Sequence, residues 1–315
     1  MDETLSITVS EAERAAGALA PATNRQAAML LHGAGCVVLR GLLPAAQIDS
    51  LATAFRAIYS DCVASRDGDA WYQVARDSRA VFWERGSRWR IFPKLRPPFD
   101  HDSLLANPII LALLADLLGP DFYCKFVSSD TCVRGSTLQA PHREFSAGGL
   151  TAPRAYIVNV PLAACTRENG ALEAWPGGSH LWQGDAMARL GFDDGMQDGA
   201  NDAMEALARR LPSRVMDLAP GDALIRDPGM LHRGTPNLTD APRTMLTICY
   251  QHPDHRHDYG DPRFNVDDEI RGRLPPAVAR LFARALADVE AAASTAATPA
   301  RRGIWQRLRG SLARS

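Results

Sequence analysis

Between residues 122 and 252 the chain reads as a succession of short β-rich segments, FYCKFVSSDTCV, AYIVNVPL, SRVMDL, DALIRD and TMLTICYQ, separated by glycine, proline or charged turn residues. β-Branched and aromatic side chains suit a pleated surface, and the punctuation between them forbids one long element. Strands this short, at this spacing, point to a sandwich or jelly roll.

What precedes that block is read as largely helical. Residues 9–31 are Ala-rich with Ser10 placed to cap, GCVVLRGLL is a short strand bounded by glycine, and residues 44–64 return to a helical period. Residues 67–100 carry arginines, aromatics and prolines and are expected to be irregular. An apolar helix over 103–118 ends at Gly119 and Pro120. Further on, a helical insertion is expected over 196–210. A last helix over 275–293 carries an apolar stripe of Val278, Leu281, Phe282, Leu286 and Val289. One domain over 1–293 results, with a helical lead-in (1–121), a β core (122–252) and the C-terminal helix. Residues 294–315 form a low-complexity linker and a basic tail.

With 46% hydrophobic and 23% charged residues the chain has material for a substantial core. A net charge of -1 excludes a general nucleic-acid binder. Cys36, Cys62, Cys124, Cys132, Cys165 and Cys249 form no C-x-x-C pair, and several lie in apolar runs, so they are expected as unpaired structural thiols. The start, MDETLSITVSEAERAAG, is acidic where a secretory signal is basic. No stretch is long and apolar enough to span a bilayer, and the expected location is cytoplasmic.

Chemistry concentrates in a split constellation. His142 and Glu144 lie two apart in APHREFS, so on a strand both side chains share a face. His232 follows about 90 residues later in MLHRGTPN, after the strand DALIRD and the turn DPGM. Two imidazoles and a carboxylate can hold iron(II) on three facial positions and leave the others open. The spacing alone also fits a surface accident, since exposed polar pairs are common. Arg243, eleven residues after His232, adds a planar fork that pairs bidentately with a carboxylate. A co-substrate that chelates iron by a 2-oxo acid end and carries a second carboxylate needs such a cation, which describes 2-oxoglutarate.

Taken together, LLHGAGCVVLRGLL, PHREFS, CTRENGALEAWPGGSHLW and LAPGDALIRDPGMLHRGTPNLTDAPRTMLTICYQ resemble the phytanoyl-CoA dioxygenase family of iron(II)- and 2-oxoglutarate-dependent oxygenases over most of residues 27–252. The resemblance implies a double-stranded β-helix, a cupin-like jelly roll with flanking helices. It implies iron on His142, Glu144 and His232, with Arg243 on the distal carboxylate of 2-oxoglutarate. Asn159 and Thr235 match positions that hydrogen-bond this co-substrate. The implied reaction consumes O2, releases succinate and CO2, and hydroxylates a small molecule. Alternatives are the same cofactor chemistry ending in desaturation, cyclisation or epimerisation, or a catalytically silent jelly-roll binding module, against which the complete residue set argues. One departure stands out: the family's usual ligand is aspartate, and Glu144 is one methylene longer. Relatives that transfer chloride have glycine or alanine there, so halogenation is disfavoured.

Other residues have plainer readings. His180 is expected to be a structural turn histidine, Trp175 a core aromatic, and His252, His255 and His257 an exposed or substrate-proximal loop. The arginine-rich run reads either as a solvated loop or as a lid whose Arg88 and Arg90 pair with an anionic substrate. The tail over 301–315 has five arginines and an apolar stripe of Ile304, Trp305, Leu308 and Leu312. It is a candidate for peripheral membrane or protein contact, against a frayed terminus.

Overall fold

The computed structural model describes residues 3–144, 155–181, 202–255 and 260–295. Its strands are β1 (Ser6–Thr8), β2 (Cys36–Arg40), β3 (Gln73–Val74), β4 (Ala80–Arg85), β5 (Arg88–Pro93), β6 (Tyr123–Cys132), β7 (Ala155–Pro161), β8 (Leu172–Ala174), β9 (Arg214–Val215), β10 (Ala223–Arg226), β11 (His232–Gly234) and β12 (Arg243–Gln251). They form a nine-stranded sheet, ordered β1-β2-β10-β7-β12-β6-β5-β4-β3, and a three-stranded sheet, β11-β8-β9. Apart from the parallel β1–β2 edge, the pairings are antiparallel. This is the mainly β, jelly-roll class expected.

The described α-helices are α1 (Glu11–Ala16), α2 (Pro21–Ala34), α3 (Ala45–Ser65), α4 (Asp102–Leu105), α5 (Pro108–Leu118), α6 (Asp202–Arg210), α7 (Asp268–Arg271) and α8 (Pro276–Thr295), with short 3-10 turns at Glu3–Leu5, Ser179–Leu181 and Pro262–Phe264. None is long and apolar enough to cross a membrane.

Period-2 alternation divides the larger sheet into two faces. Val37, Leu39, Ile91, Val127, Val158, Val160, Ile225, Leu246 and Ile248 join one apolar core with residues of α2, α3, α5 and α8. On the opposite face Cys36, Val38, Leu224 and Met245 pack against Ala171, Leu172 and Ala174 near the smaller sheet. Phe92, Phe126, Ile157 and Cys249 form a separate apolar cluster on that same side. Between the two clusters lie Ser128, Asp130, Asn159, Arg226 and Thr247. The register explains this band: Thr247 faces both Ser128 and Asn159, and Arg90 faces Asp130.

Three expectations need correction. The single helix over 9–31 is two: Ser10 does cap α1 through a capping box, but Gly17 ends it in the left-handed region and Pro21 restarts the chain as α2. Residues 67–100 are not irregular throughout, because β4 and β5 form a hairpin that extends the larger sheet through β6. The turn residues Gly86 and Ser87 both have positive φ, 57° and 62°, the primed turn that matches strand twist. The prolines that suggested irregularity come only at the end of β5 and beyond. Finally, the lead-in before residue 121 supplies β1 to β5 and so is part of the sheet.

The apolar helix and the C-terminal helix appear as α5 and α8, and α6 is the described part of the expected insertion. Residues 196–201, His257 and the tail lie outside the described residues. All six cysteines are unpaired and buried. His180 is structural, with Nε2 donating to the His32 carbonyl at 2.9 Å. Its ring lies where a Cβ on Gly35 would stand, 2.7 Å from Nδ1, which ties the end of α2 to the smaller sheet's entry. Trp175 is a core residue, and its Nε1 donates to the Ala208 carbonyl of α6.

Candidate active site

A turn brings the first two groups together. After β10 the Asp227 carboxylate accepts from Gly229 N (2.7 Å) and its carbonyl from Met230 N (3.0 Å), which reverses the chain into β11. Arg226 thus ends one sheet as His232 begins the other. Residues 142–144 then run antiparallel to this turn. His142 and His232 exchange both backbone hydrogen bonds, at 2.9 and 3.0 Å, and Glu144 N donates to the Pro228 carbonyl at 3.0 Å. The expected strand at 142–144 is therefore a short extended edge on the smaller sheet, but the consequence is the same. His142, Glu144 and His232 lie together, with the imidazole centroids 4.6 Å apart and His232 Nε2 3.3 Å from Glu144 Oε1.

Both imidazoles are fixed in the same way. His142 Nδ1 lies 2.9 Å from the Ala140 carbonyl and His232 Nδ1 2.8 Å from the Met230 carbonyl. A carbonyl only accepts, so each Nδ1 carries a proton, which leaves Nε2 as the nitrogen available to a metal. Burial, the Arg226 charge and His142 press the His232 imidazole down to about 4, against the pull of Glu144, so it is neutral. Burial opposes the charge on Glu144, yet the Arg226 guanidinium beside it holds its carboxyl well below the usual range. A lone pair and a carboxylate oxygen therefore face one another at a separation near the ~3 Å edge of an octahedron with bonds of about 2.1 Å. The donor set fits iron(II), with backbone carbonyls in the orienting role that metal-binding histidines require. Among the described residues no group of three or more His, Cys, Asp or Glu side chains is arranged to hold a metal ion as it stands. Here Glu144 Oε1 is divided between His232 and Arg226.

Arg226 is a site residue that the sequence reading missed. Its Nη2 donates to Glu144 Oε1 (2.9 Å) and its Nε to Asn159 Oδ1 (3.2 Å), while Asn159 Nδ2 donates to Thr247 Oγ1 (3.0 Å). Asn159 is thus joined to the histidine group.

Arg243 belongs to a second group. Four residues from Thr247 on β12, it lies on the same face, ~13 Å along the strand. Its Nη1 donates to the Asp130 carboxylate (2.8 Å) and carbonyl (3.0 Å), and its Nη2 to the Gly170 carbonyl (2.5 Å). The fork expected for a co-substrate does hold a carboxylate, and this chain supplies it from Asp130. Although partial burial opposes its charge, Arg243 and Arg88 hold the Asp130 carboxyl below its ordinary value. Thr235 has its hydroxyl committed to the Ala171 carbonyl at 2.6 Å. Arg88 is buried, with Nη2 donating to the Thr137 and Thr235 carbonyls at 3.1 and 2.7 Å. Gly234 makes room for it, since a Cβ there would stand 2.5 Å from Arg88 Nη1. Arg90, half-buried, donates from Nη1 to Ser128 Oγ at 3.2 Å. Neither arginine rides on a lid loop; both project from β5 onto the inner face. Nearby thiols are inert, because burial pushes Cys36 and Cys249 up to about 12.

Solved structures share the fold. The non-heme alpha ketoglutarate dependent epimerase SnoN from nogalamycin biosynthesis is 21% identical, with a TM-score of 0.53 over 74% of this chain and 84% of that one. AviO1 from Streptomyces viridochromogenes Tue57 is 18% identical, with a TM-score of 0.54 over 76% and 99%. The non-heme alpha ketoglutarate dependent carbocyclase SnoK from nogalamycin biosynthesis is 16% identical, with a TM-score of 0.51 over 80% and 91%. The family of phytanoyl-CoA dioxygenases (PhyH) matches residues 31–245, which include both groups of site residues. This chain belongs to the phytanoyl-CoA dioxygenase family and is an oxidoreductase of the iron(II)- and 2-oxoglutarate-dependent class.

Proposed function

We propose that the protein hydroxylates a small, anionic molecule, with iron on His142, Glu144 and His232 and with 2-oxoglutarate reaching Arg243. The observation that carries this reading is the pair of imidazoles brought together beside Glu144, each with Nδ1 donating to the carbonyl two residues earlier. Such fixing costs nothing further when a metal arrives.

When bound, iron(II) with 2-oxoglutarate and O2 supplies an oxidant that replaces a C–H hydrogen by hydroxyl and releases succinate and CO2. The chain's own part is to hold donors still and keep water away. His142 and His232 offer Nε2, and Glu144 supplies the anionic oxygen. Arg243 offers a fork of the right shape for a distal carboxylate once Asp130 yields it, and Asp130, 31% exposed at its side chain, has room to do so. Asn159 orients its amide by donating to Thr247, and Thr235 acts through its backbone, which Arg88 holds. The two apolar clusters on either side of the band exclude water, which strengthens every polar contact between them. Arg90 is the candidate for the substrate's anionic group, with Arg88 as its support. Residues 1–293 would make up the catalytic unit and the tail over 301–315 a separate contact segment.

The test is anaerobic addition of iron(II) and 2-oxoglutarate to the purified protein. A charge-transfer band is expected in the wild type and not in His232→Ala; its absence from both sinks the assignment. With a turnover substrate, one atom of labelled O2 in the product marks hydroxylation. An oxidised or epimerised product without label points instead to the epimerase- or carbocyclase-like outcomes named for SnoN and SnoK.

A further inference from the structure

Glu144 is the least tethered of the three proposed ligands. His142 and His232 exchange two backbone hydrogen bonds and each pins its ring to a carbonyl, whereas Glu144 has one backbone bond, to Pro228. It also has three side-chain torsions, whose freedom is lost when the carboxylate is fixed. Arg226, by contrast, comes from β10, which is paired on both sides, to β2 and to β7. Its side chain is 4% exposed and its guanidinium is oriented by Asn159, itself held by Thr247. A rigid donor thus meets a loosely tethered acceptor at 2.9 Å, on the oxygen that also lies 3.3 Å from His232 Nε2. A side chain one methylene shorter would withdraw that oxygen from the guanidinium.

Resting on the reading of His142, Glu144 and His232 as ligands, we infer that Arg226 is a positioning residue that seats the long carboxylate of Glu144 beside His232, so that glutamate and Arg226 work as one unit. A cation next to a metal site is repulsive by itself. Its presence there needs a compensating role, and orientation of the only anionic ligand supplies one. Arg226 Nη1 is buried with no hydrogen-bond partner, an arrangement that a ligand oxygen on the metal would also relieve.

The experiment titrates Co(II) into the metal-free, full-length protein and follows its visible absorption. Arg226→Met is expected to weaken Co(II) binding roughly 10- to 100-fold, the usual effect of removing a partner that orients a ligand. Arg226→Lys should recover part of the loss. In the Glu144→Asp background, Arg226→Met should change affinity less than about threefold, because the contact is already gone. Unchanged or tighter binding by Arg226→Met overturns the inference, as does an equal loss in both backgrounds, which is what a merely structural arginine gives. Should Arg226→Met fail to fold, Arg226→Lys is compared in the two backgrounds and judged the same way. His232→Ala separates the two levels: if it binds Co(II) like the wild type, the ligand assignment itself is wrong.

Discussion

On β6, β7 and β12 successive side chains leave the backbone on opposite sides, and the two sides differ in kind. Toward the helices stand Val127, Val158, Val160, Leu246, Ile248 and Tyr250, with a hydroxyl trio of Ser129, Thr131 and Thr244 satisfying one another. Toward the smaller sheet the same strands present Ser128, Asp130, Asn159, Arg243 and Thr247. The first face gains stability from area removed from water. The second buries guanidinium and carboxylate groups, whose desolvation offsets much of their attraction. A fold that keeps such a band is retaining it for something other than stability. Substitutions on the two faces should therefore have separable effects.

The largest separation is expected from His232→Ala or His142→Ala. Either should lower co-substrate turnover by about 10³-fold or more, as loss of a group acting in a unit does, with the metal-free unfolding midpoint moved less than by an outer-face truncation. Leu246→Ala is that truncation. Leu246 is fully buried in the helix-facing core, so its loss should cost ~2–5 kcal/mol by denaturant unfolding. Co(II) affinity at temperatures where it stays folded should be unchanged. If Leu246→Ala loses metal in proportion to stability, the faces are not independent.

These faces were not equally legible in the sequence. The strands of the helix-facing core were visible, because Val158, Val160, Leu246 and Ile248 alternate with other residues inside short punctuated runs. His142, Glu144, His232 and Arg243 were also visible, as residue types with few other uses at that spacing. The β4–β5 hairpin was missed because Arg85, Arg88 and Arg90 read as the charge of a loop, solvated or lid-like, although Gly86 and Ser87 between VFWER and RWRIF are a hairpin signal. Charge on a buried face has the same letter as charge in water. Arg226 and Asp130 were missed for that reason. Each sits at an inward position of a strand, and what matters about them is a partner far along the chain: 82 residues away for Arg226 and Glu144, 113 for Asp130 and Arg243.

Within the inner face, Asp130→Asn sharpens the comparison. Asp130 occupies the fork proposed for 2-oxoglutarate, so replacing its charge without changing its size weakens an internal competitor. Binding of 2-oxoglutarate to the Mn(II)-loaded protein, measured by calorimetry, should tighten by roughly tenfold, the equivalent of about 1.4 kcal/mol and within the range of one charge-assisted hydrogen bond. Weaker binding would mean that Asp130 organises the fork rather than blocking it.

The smallest effect expected is also the one that divides the inner face itself. Arg88 and Arg90 are neighbours on β5 and share a face, yet their contacts differ. Arg88 straps the Thr137 and Thr235 carbonyls and fills the space that Gly234 leaves, so Arg88→Ala should lower stability by ~1–3 kcal/mol, the cost of carbonyls left unsatisfied. Arg90 bonds a serine hydroxyl at 3.2 Å and is half-buried, so part of its side chain stays within reach of a ligand. Arg90→Ala should therefore raise the KM of an anionic substrate by roughly three- to tenfold, about 1 kcal/mol of a partly screened ion pair, with kcat, Co(II) affinity and unfolding midpoint little changed. Equal effects of the two variants on stability, with no change in KM from either, would place both arginines with the structural residues. The anionic group of the substrate would then have to be met elsewhere on the inner face.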